Sequence, residues 1–237
     1  PGKLVLWGEY AVLAGAPAVA LAVDRRAHCQ FVPSPGERVW KLQAPGLSDA
    51  TTTVSLDGML ISSAPNPGAS EALLWHALCA LKGAANQLPA GGTLIMDSNA
   101  FHEAGAKLGL GSSAAVCTAL MGVLQHLLAM PLDETLAFQA HRSAQGGKGS
   151  GIDIAAALRG GSVLLRPQSD RATPQITAYP WPDALHWQAV WTGQSASTTK
   201  HIRRFDSWLA EHQGNAPPAL TYLMDCAEAL AGGLTLD

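Results

Sequence analysis

Residues 107–115 read Lys107-Leu108-Gly109-Leu110-Gly111-Ser112-Ser113-Ala114-Ala115 and lead straight into the clearest helix of the chain, residues 112–130, rich in Ala and Leu and free of Pro. Two glycines before a helix allow positive φ and a close approach of backbone to a ligand. The helix start adds unpaired N–H groups and the positive end of the macrodipole. Together they make a site suited to phosphate. The hydroxyls of Ser112 and Ser113 can donate to a phosphate, or bind Mg²⁺ through oxygen. The same residues also suit an ordinary helix start with Ser112 as the N-cap. The spacing is neither that of a Walker A loop, since no Gly-Lys-Ser/Thr follows, nor G-x-G-x-x-G.

Around this loop, strand-like and helix-like segments alternate. Residues 4–7, 18–23, 27–32, 93–96, 162–165 and 186–191 read as strands, with 27–32 a candidate partner of 18–23. Residues 71–81, 132–143, 152–158, 197–212 and 220–230 read as helices, and Gly160-Gly161 ends the third of these. Residues 33–68 are rich in Pro, Gly, Ser and Thr and predict short strands and loops. The interleaving predicts an α+β or α/β fold with helices packed on a sheet. Four prolines between 167 and 184 suggest a boundary there.

The balance of the chain limits its partners. Of 237 residues 48% are hydrophobic, enough for a substantial core, while 14% are charged and the net charge is −3. No strong field recruits a polyanion, so nucleic acid is not an expected partner. No apolar run reaches the length of a membrane span, so no membrane partner is expected. The cysteines Cys29, Cys79, Cys117 and Cys226 form no CxxC pair, and Cys117 reads as a small buried hydrophobe. A reducing, cytoplasmic setting is expected. The eight histidines show no zinc-like spacing.

Three segments carry a resemblance. Residues 109–115, GLGSSAA, resemble the central phosphate loop of the GHMP kinases. Pro1-Gly2-Lys3 with Gly8-Glu9-Tyr10 resembles the first motif of that family, PGKxxLxGEH/Y. Lys148-Gly149-Ser150-Gly151-Ile152-Asp153 resembles its GSGxDVA segment. The resemblance implies ATP and Mg²⁺ as cofactors, a small-molecule substrate, and a monomer or homodimer. It implies a two-domain fold, with a ribosomal-protein-S5-like domain over residues 1–175. The start of a ferredoxin-like domain would follow over 176–237. The family's second glycine loop, SGAGGGD, has no match after Gly193, so either the chain is truncated or it lacks that element.

The resemblance also implies roles. Lys3 would polarise the attacked group and Asp153 would accept or orient the attacking oxygen. Lys107, Gly109, Leu110, Gly111, Ser112, Ser113 and Ala114 would hold ATP, with Ser112 on Mg²⁺ through its hydroxyl. Lys148, Ser150, Ser195 and Ala196 would meet the substrate. Lys200 also suits a solvated surface charge, and Ser195 and Ser197 also suit helix capping. For Asp153, the Ser150-x-x-Asp153 spacing also fits a capping box. Glu9 reads as a buried structural acid or an ordering group of the site.

Within the family the phosphomevalonate kinase branch is the expected home. Residues 140–153, AHRSAQGGKGSGID, resemble its AHxxAQGKxGSGxD stretch, and residues 191–198 its WTGxxAST segment. Mevalonate kinases tend to carry an acidic magnesium ligand eleven residues before the base, where this chain has Arg142, which cannot ligate a metal. Other expectations are a kinase for mevalonate or another small acceptor, a decarboxylase relative, and a non-catalytic nucleotide binder.

Overall fold

The structure is a computed structural model. It describes residues 1–56, 68–168, 173–194, 198–212 and 217–233. It has a mixed α+β fold in which helices pack on multi-stranded sheets.

The first sheet is formed by β1 (Lys3–Trp7), β2 (Ala18–Ala22), β9 (Ser162–Arg166) and β10 (Gln175–Ala178), in that order and antiparallel throughout. Ala18, Val19 and Ala20 of β2 are fully buried, because this inner strand is covered on both faces and its run of small apolar residues allows that. A short 3-10 helix, Ala11–Ala14, links β1 to β2.

The second sheet has the order β3 (His28–Pro33), β6 (Gly92–Asp97), β4 (Trp40–Ala44), β5 (Ser48–Val54). The β4–β6 pair is parallel and its neighbours are antiparallel. Alternation sets the faces: Trp40, Leu42 and Ala44 point to the core from β4, as do Leu94 and Met96 from β6. The indole N–H of Trp40 donates to the Pro89 carbonyl at 2.8 Å. A small hairpin, β7 (His102–Glu103) and β8 (Ala106–Lys107), leads into the glycine loop.

Four helices fill the space against these sheets: α1 (Ala69–Leu81), α2 (Ser112–Leu127), α3 (Glu134–Ala144) and α4 (Ile152–Arg159). Their apolar faces join both sheets in one continuous core, which holds Leu74, Ala77, Leu120, Leu124, Ala140 and Ile154. α5 (Thr198–Glu211) and α6 (Pro218–Ala231) lie outside that core. α6 packs by Ala227 on Ala11 and Ala16.

Several expectations are corrected. Residues 27–32 do not pair with 18–23. β3 joins β6 in the second sheet, and the neighbours of β2 are β1 and β9. Residues 186–191 form no strand: Trp187, Val190 and Trp191 are exposed, and a period-two pattern becomes a strand only where a neighbour completes the ladder. Ser112 is not the N-cap of α2. That position belongs to Gly111, at φ 78°, and no side chain caps it. Ser150 and Asp153 form no capping box. The N-cap of α4 is Gly151, and the Asp153 carboxylate accepts from the Ile154 N–H at 3.0 Å. Glu9 is exposed, not buried.

Candidate active site

β1 and the glycine loop are stitched together. The Lys3 N–H donates to the Leu110 carbonyl at 2.8 Å. Gly2 continues the join, donating to the Arg25 carbonyl at 2.8 Å and accepting from Val23 at 2.9 Å. A Cβ on Gly2 would sit 2.5 Å from both the Leu110 oxygen and the ring of Phe101, so only glycine fits between them. The Lys3 side chain then runs over Gly111, where a Cβ would lie 3.2 Å from the lysine Cγ. The N-terminal segment and the loop thus form one surface.

At the loop, Gly109 and Ser113 are exposed, Leu110 and Gly111 are half-buried, and Ser112 and Ala114 are buried. The helix end therefore opens to solvent through Gly109 and Ser113. The Ser112 hydroxyl is buried and has no hydrogen-bond partner among the described residues. Lys107 is exposed at the end of β8.

Asp153 stands in the first turn of α4, which packs on α2. Its carboxylate acts electrostatically on Cys117 of α2. Cys117 follows Ser113 by one helical turn, so Asp153 lies beside the opening turns of α2. Burial, with the Asp153 charge as a second cause, pushes the Cys117 thiol up to about 12, and its S–H points to the Ala137 carbonyl at 3.8 Å. It is an inert filler under the site. His141 of α3 is 2% exposed, and its Nε2 lies 3.9 Å from an Asp153 carboxylate oxygen. That is longer than a hydrogen bond, and Nε2 has no other partner among the described residues.

A cleft of about 600 Å³ opens beside His141. Its lining includes His141, Arg142, Gln145, Lys148, Ser150 and, from α5, Phe205. Arg142 is anchored by its Nε, which donates to the Gly147 carbonyl at 3.0 Å. Lys148 pairs with Asp206 of α5. Tyr10, held at φ 63°, stacks on Phe205 at 5.4 Å, so α5 is tied to the segment after β1.

The structure therefore gathers the sequence candidates into two groups. Lys3 and residues 109–114 share the loop surface. Lys148, Ser150 and His141 line the cleft, and Asp153 lies 3.9 Å from His141 Nε2. Lys107 does not line the cleft. Ser195, Ala196 and Ser197 lie outside the described residues, as does the side chain of Lys200. Sequence reasoning did not single out His141, Gln145 or Tyr10. His141 and Gln145 both stand in the AHxxAQG stretch of the resemblance, and His141 also sits beside Ala137, Phe138 and Ala140 on the buried side of α3. Among the described residues no three His, Cys, Asp or Glu side chains gather as a metal site, and no helix is long and apolar enough to cross a membrane.

Residues 72–161 match the family described as GHMP kinases N terminal domain. The chain is 28% identical to a phosphomevalonate kinase of Streptomyces, over 98% of this chain and 72% of that protein. It is 32% identical to a mevalonate kinase of Pyrococcus furiosus, over 69% of this chain and 49% of that protein. In fold it resembles the Lin0012 protein of Listeria innocua, with a TM-score of 0.75, 21% identity and coverage of 98% and 70% of the two chains. The chain thus spans about half the length of several mevalonate kinases that it matches. Residues 72–161 thus carry the N-terminal domain of the GHMP kinases, a class of phosphotransferases, and the chain as a whole is similar to kinases of that class. Within that class it is related to mevalonate kinases and to phosphomevalonate kinases alike, and neither branch is singled out.

Proposed function

We propose that this protein is an ATP-dependent kinase acting on mevalonate or a similarly small alcohol or phosphate. The observation that carries this reading is the N-terminus of α2, open at a glycine loop crossed by Lys3, with α4 and its first-turn Asp153 packed on the same helix. A carboxylate next to a phosphate-binding helix end is the arrangement an in-line transfer to a bound oxygen requires.

In this reading Gly109, Leu110, Gly111, Ser113 and Ala114 give the ATP phosphates a cradle of backbone N–H groups, with Lys107 at its edge. Lys3 offsets charge on the attacked group. The buried Ser112 hydroxyl lacks a partner among the described residues, which fits an oxygen ligand for Mg²⁺. Mg²⁺ keeps water and phosphate oxygens and needs only one or two protein ligands, and when bound it neutralises charge on the phosphates. With an alcohol acceptor, Asp153 takes the hydroxyl proton. With an acceptor that is already anionic, Asp153 orients the oxygen. Ser150 and Lys148, and Ser195 and Ala196 beyond the described residues, meet the acceptor. Residues 1–175 make the S5-like nucleotide-binding part, and 176–237 begin a ferredoxin-like part.

A second reading narrows the acceptor to 5-phosphomevalonate. Arg142 and Lys148 line the cleft against the one carboxylate of Asp206, which pairs with Lys148, and the remaining positive charge of Arg142 suits an acceptor that carries a phosphate. Incubation with Mg-ATP and mevalonate, 5-phosphomevalonate or 5-diphosphomevalonate tests both readings. ADP release with the first or second supports a kinase and separates the two acceptors. Carbon dioxide release with the third points to a decarboxylase. ATP binding without turnover on any acceptor overturns the proposal. Asp153→Ala is expected to abolish turnover and leave ATP affinity within about twofold, as measured by calorimetry.

A further inference from the structure

We propose that His141 is the positioning residue for Asp153, holding its carboxylate toward the boundary between the glycine loop and the cleft. Three observations converge. The ring is almost wholly buried, its Nε2 has no partner among the described residues, and the nearest opposite charge to that nitrogen is an Asp153 carboxylate oxygen at 3.9 Å. A buried ring nitrogen without a partner carries a cost that a hydrogen bond removes. The carboxylate only accepts, so in the pair Nε2 carries the hydrogen. The other carboxylate oxygen already accepts from the Ile154 N–H at 3.0 Å. Held at both oxygens, the carboxylate has one orientation. The present gap exceeds hydrogen-bond length, and hydrogen bonds of this kind are often long before ligands bind.

The imidazole also lines the cleft, so it joins the wall of the acceptor cavity to the carboxylate beside α2. On the helices packed against α3, the titratable groups include Asp153 on α4, 3.9 Å from the ring, Cys117 on α2, and His76 on α1, which reaches α3 through Ser143 at 2.9 Å. At the cleft are Arg142 and the paired Lys148 and Asp206. Cys117 stays protonated, so Asp153 is the anion that the ring meets at this depth.

The functional part of this inference rests on the kinase reading, and the pairing does not. The pairing is read by NMR on protein with ¹⁵N-labelled histidine, with the His141 signals assigned from His141→Gln. Asp153→Asn is expected to shift the Nε2 resonance, through loss of the carboxylate that the ring N–H faces. An unchanged Nε2 resonance overturns the proposal. In turnover, His141→Leu is expected to lower kcat roughly ten- to a hundredfold with KM for ATP within about twofold. His141→Gln, whose amide nitrogen can donate from nearly the same place, is expected to recover most of the loss. Wild-type kcat in His141→Leu, or no recovery in His141→Gln, overturns the proposal. A wild-type protein inactive on every acceptor sinks the kinase reading, while the NMR result still decides the pairing.

Discussion

Lys3 and Gly111 stand far apart in the chain, yet the lysine methylenes lie across the glycine so closely that any side chain there must displace them. Gly111 also sits at φ 78°, a conformation that costs an L-residue about 1–2 kcal/mol. Gly111→Ala is therefore expected to lower stability by about that amount. It should also weaken ATP binding, because Lys3 and the loop backbone both move. Calorimetric titration with ATP beside a urea melt separates the two effects. The reason for Gly111 was partly visible beforehand: two glycines before a helix signal positive φ, but not that a lysine from the N-terminal strand occupies the missing Cβ position. The Ser112 error has the same origin. A serine before an apolar run reads as an N-cap, and only the conformation of Gly111 shows that the cap lies one residue earlier. His141 was harder still, since its partner is on a different helix and local spacing says nothing about that distance.

The helices were the most legible elements. α2 begins at the residue expected and ends at Leu127, short of residue 130, because Ala129 turns to φ 49°. α4 was legible from its flanking glycines, and packing explains its composition. Ala155 and Ala156 are fully buried where α4 meets α2 and β2, so the helices approach closely through small side chains. Ala156→Leu is expected to cost about 1–3 kcal/mol by overpacking, read as a lower midpoint in urea. If the midpoint were unchanged, α4 would not be packed as described. Strands were less legible. The alternation Trp40, Leu42, Ala44 carries β4, but it lies in a stretch dominated by turn-forming residues, which hides it. Residues 186–191 show the converse: an apolar pattern with no neighbouring strand gives no strand.

For the protein as a unit, one core joins the two sheets, so buried ionisable groups inside it tax global stability. The thiols of Cys29 and Cys117 are both pushed up to about 12, chiefly by burial, from 9.0. Folded protein keeps these protons where unfolded chain loses them. Their contribution is therefore complete below pH 9 and declines as pH rises toward about 12. Each thiol contributes up to about 1.4 kcal/mol per pH unit within that window. Urea midpoints measured above pH 9 are expected to fall less steeply in Cys117→Ala than in the native protein. Parallel curves would show that Cys117 titrates normally. The class of fold was open to inspection from the interleaved elements. The division of strands between two sheets was not, because it depends on which strands meet after the chain has travelled most of its length.

β2 lies between β1 and β9, so residues 18–22 wait for residues 162–166 before their second edge is covered. A ribosome must release the chain past residue 166 before the two strands can meet. Until then, a short apolar strand near the amino end stays open to wrong pairing. Synthesis is thus the period when this protein is most prone to aggregate and most dependent on chaperones.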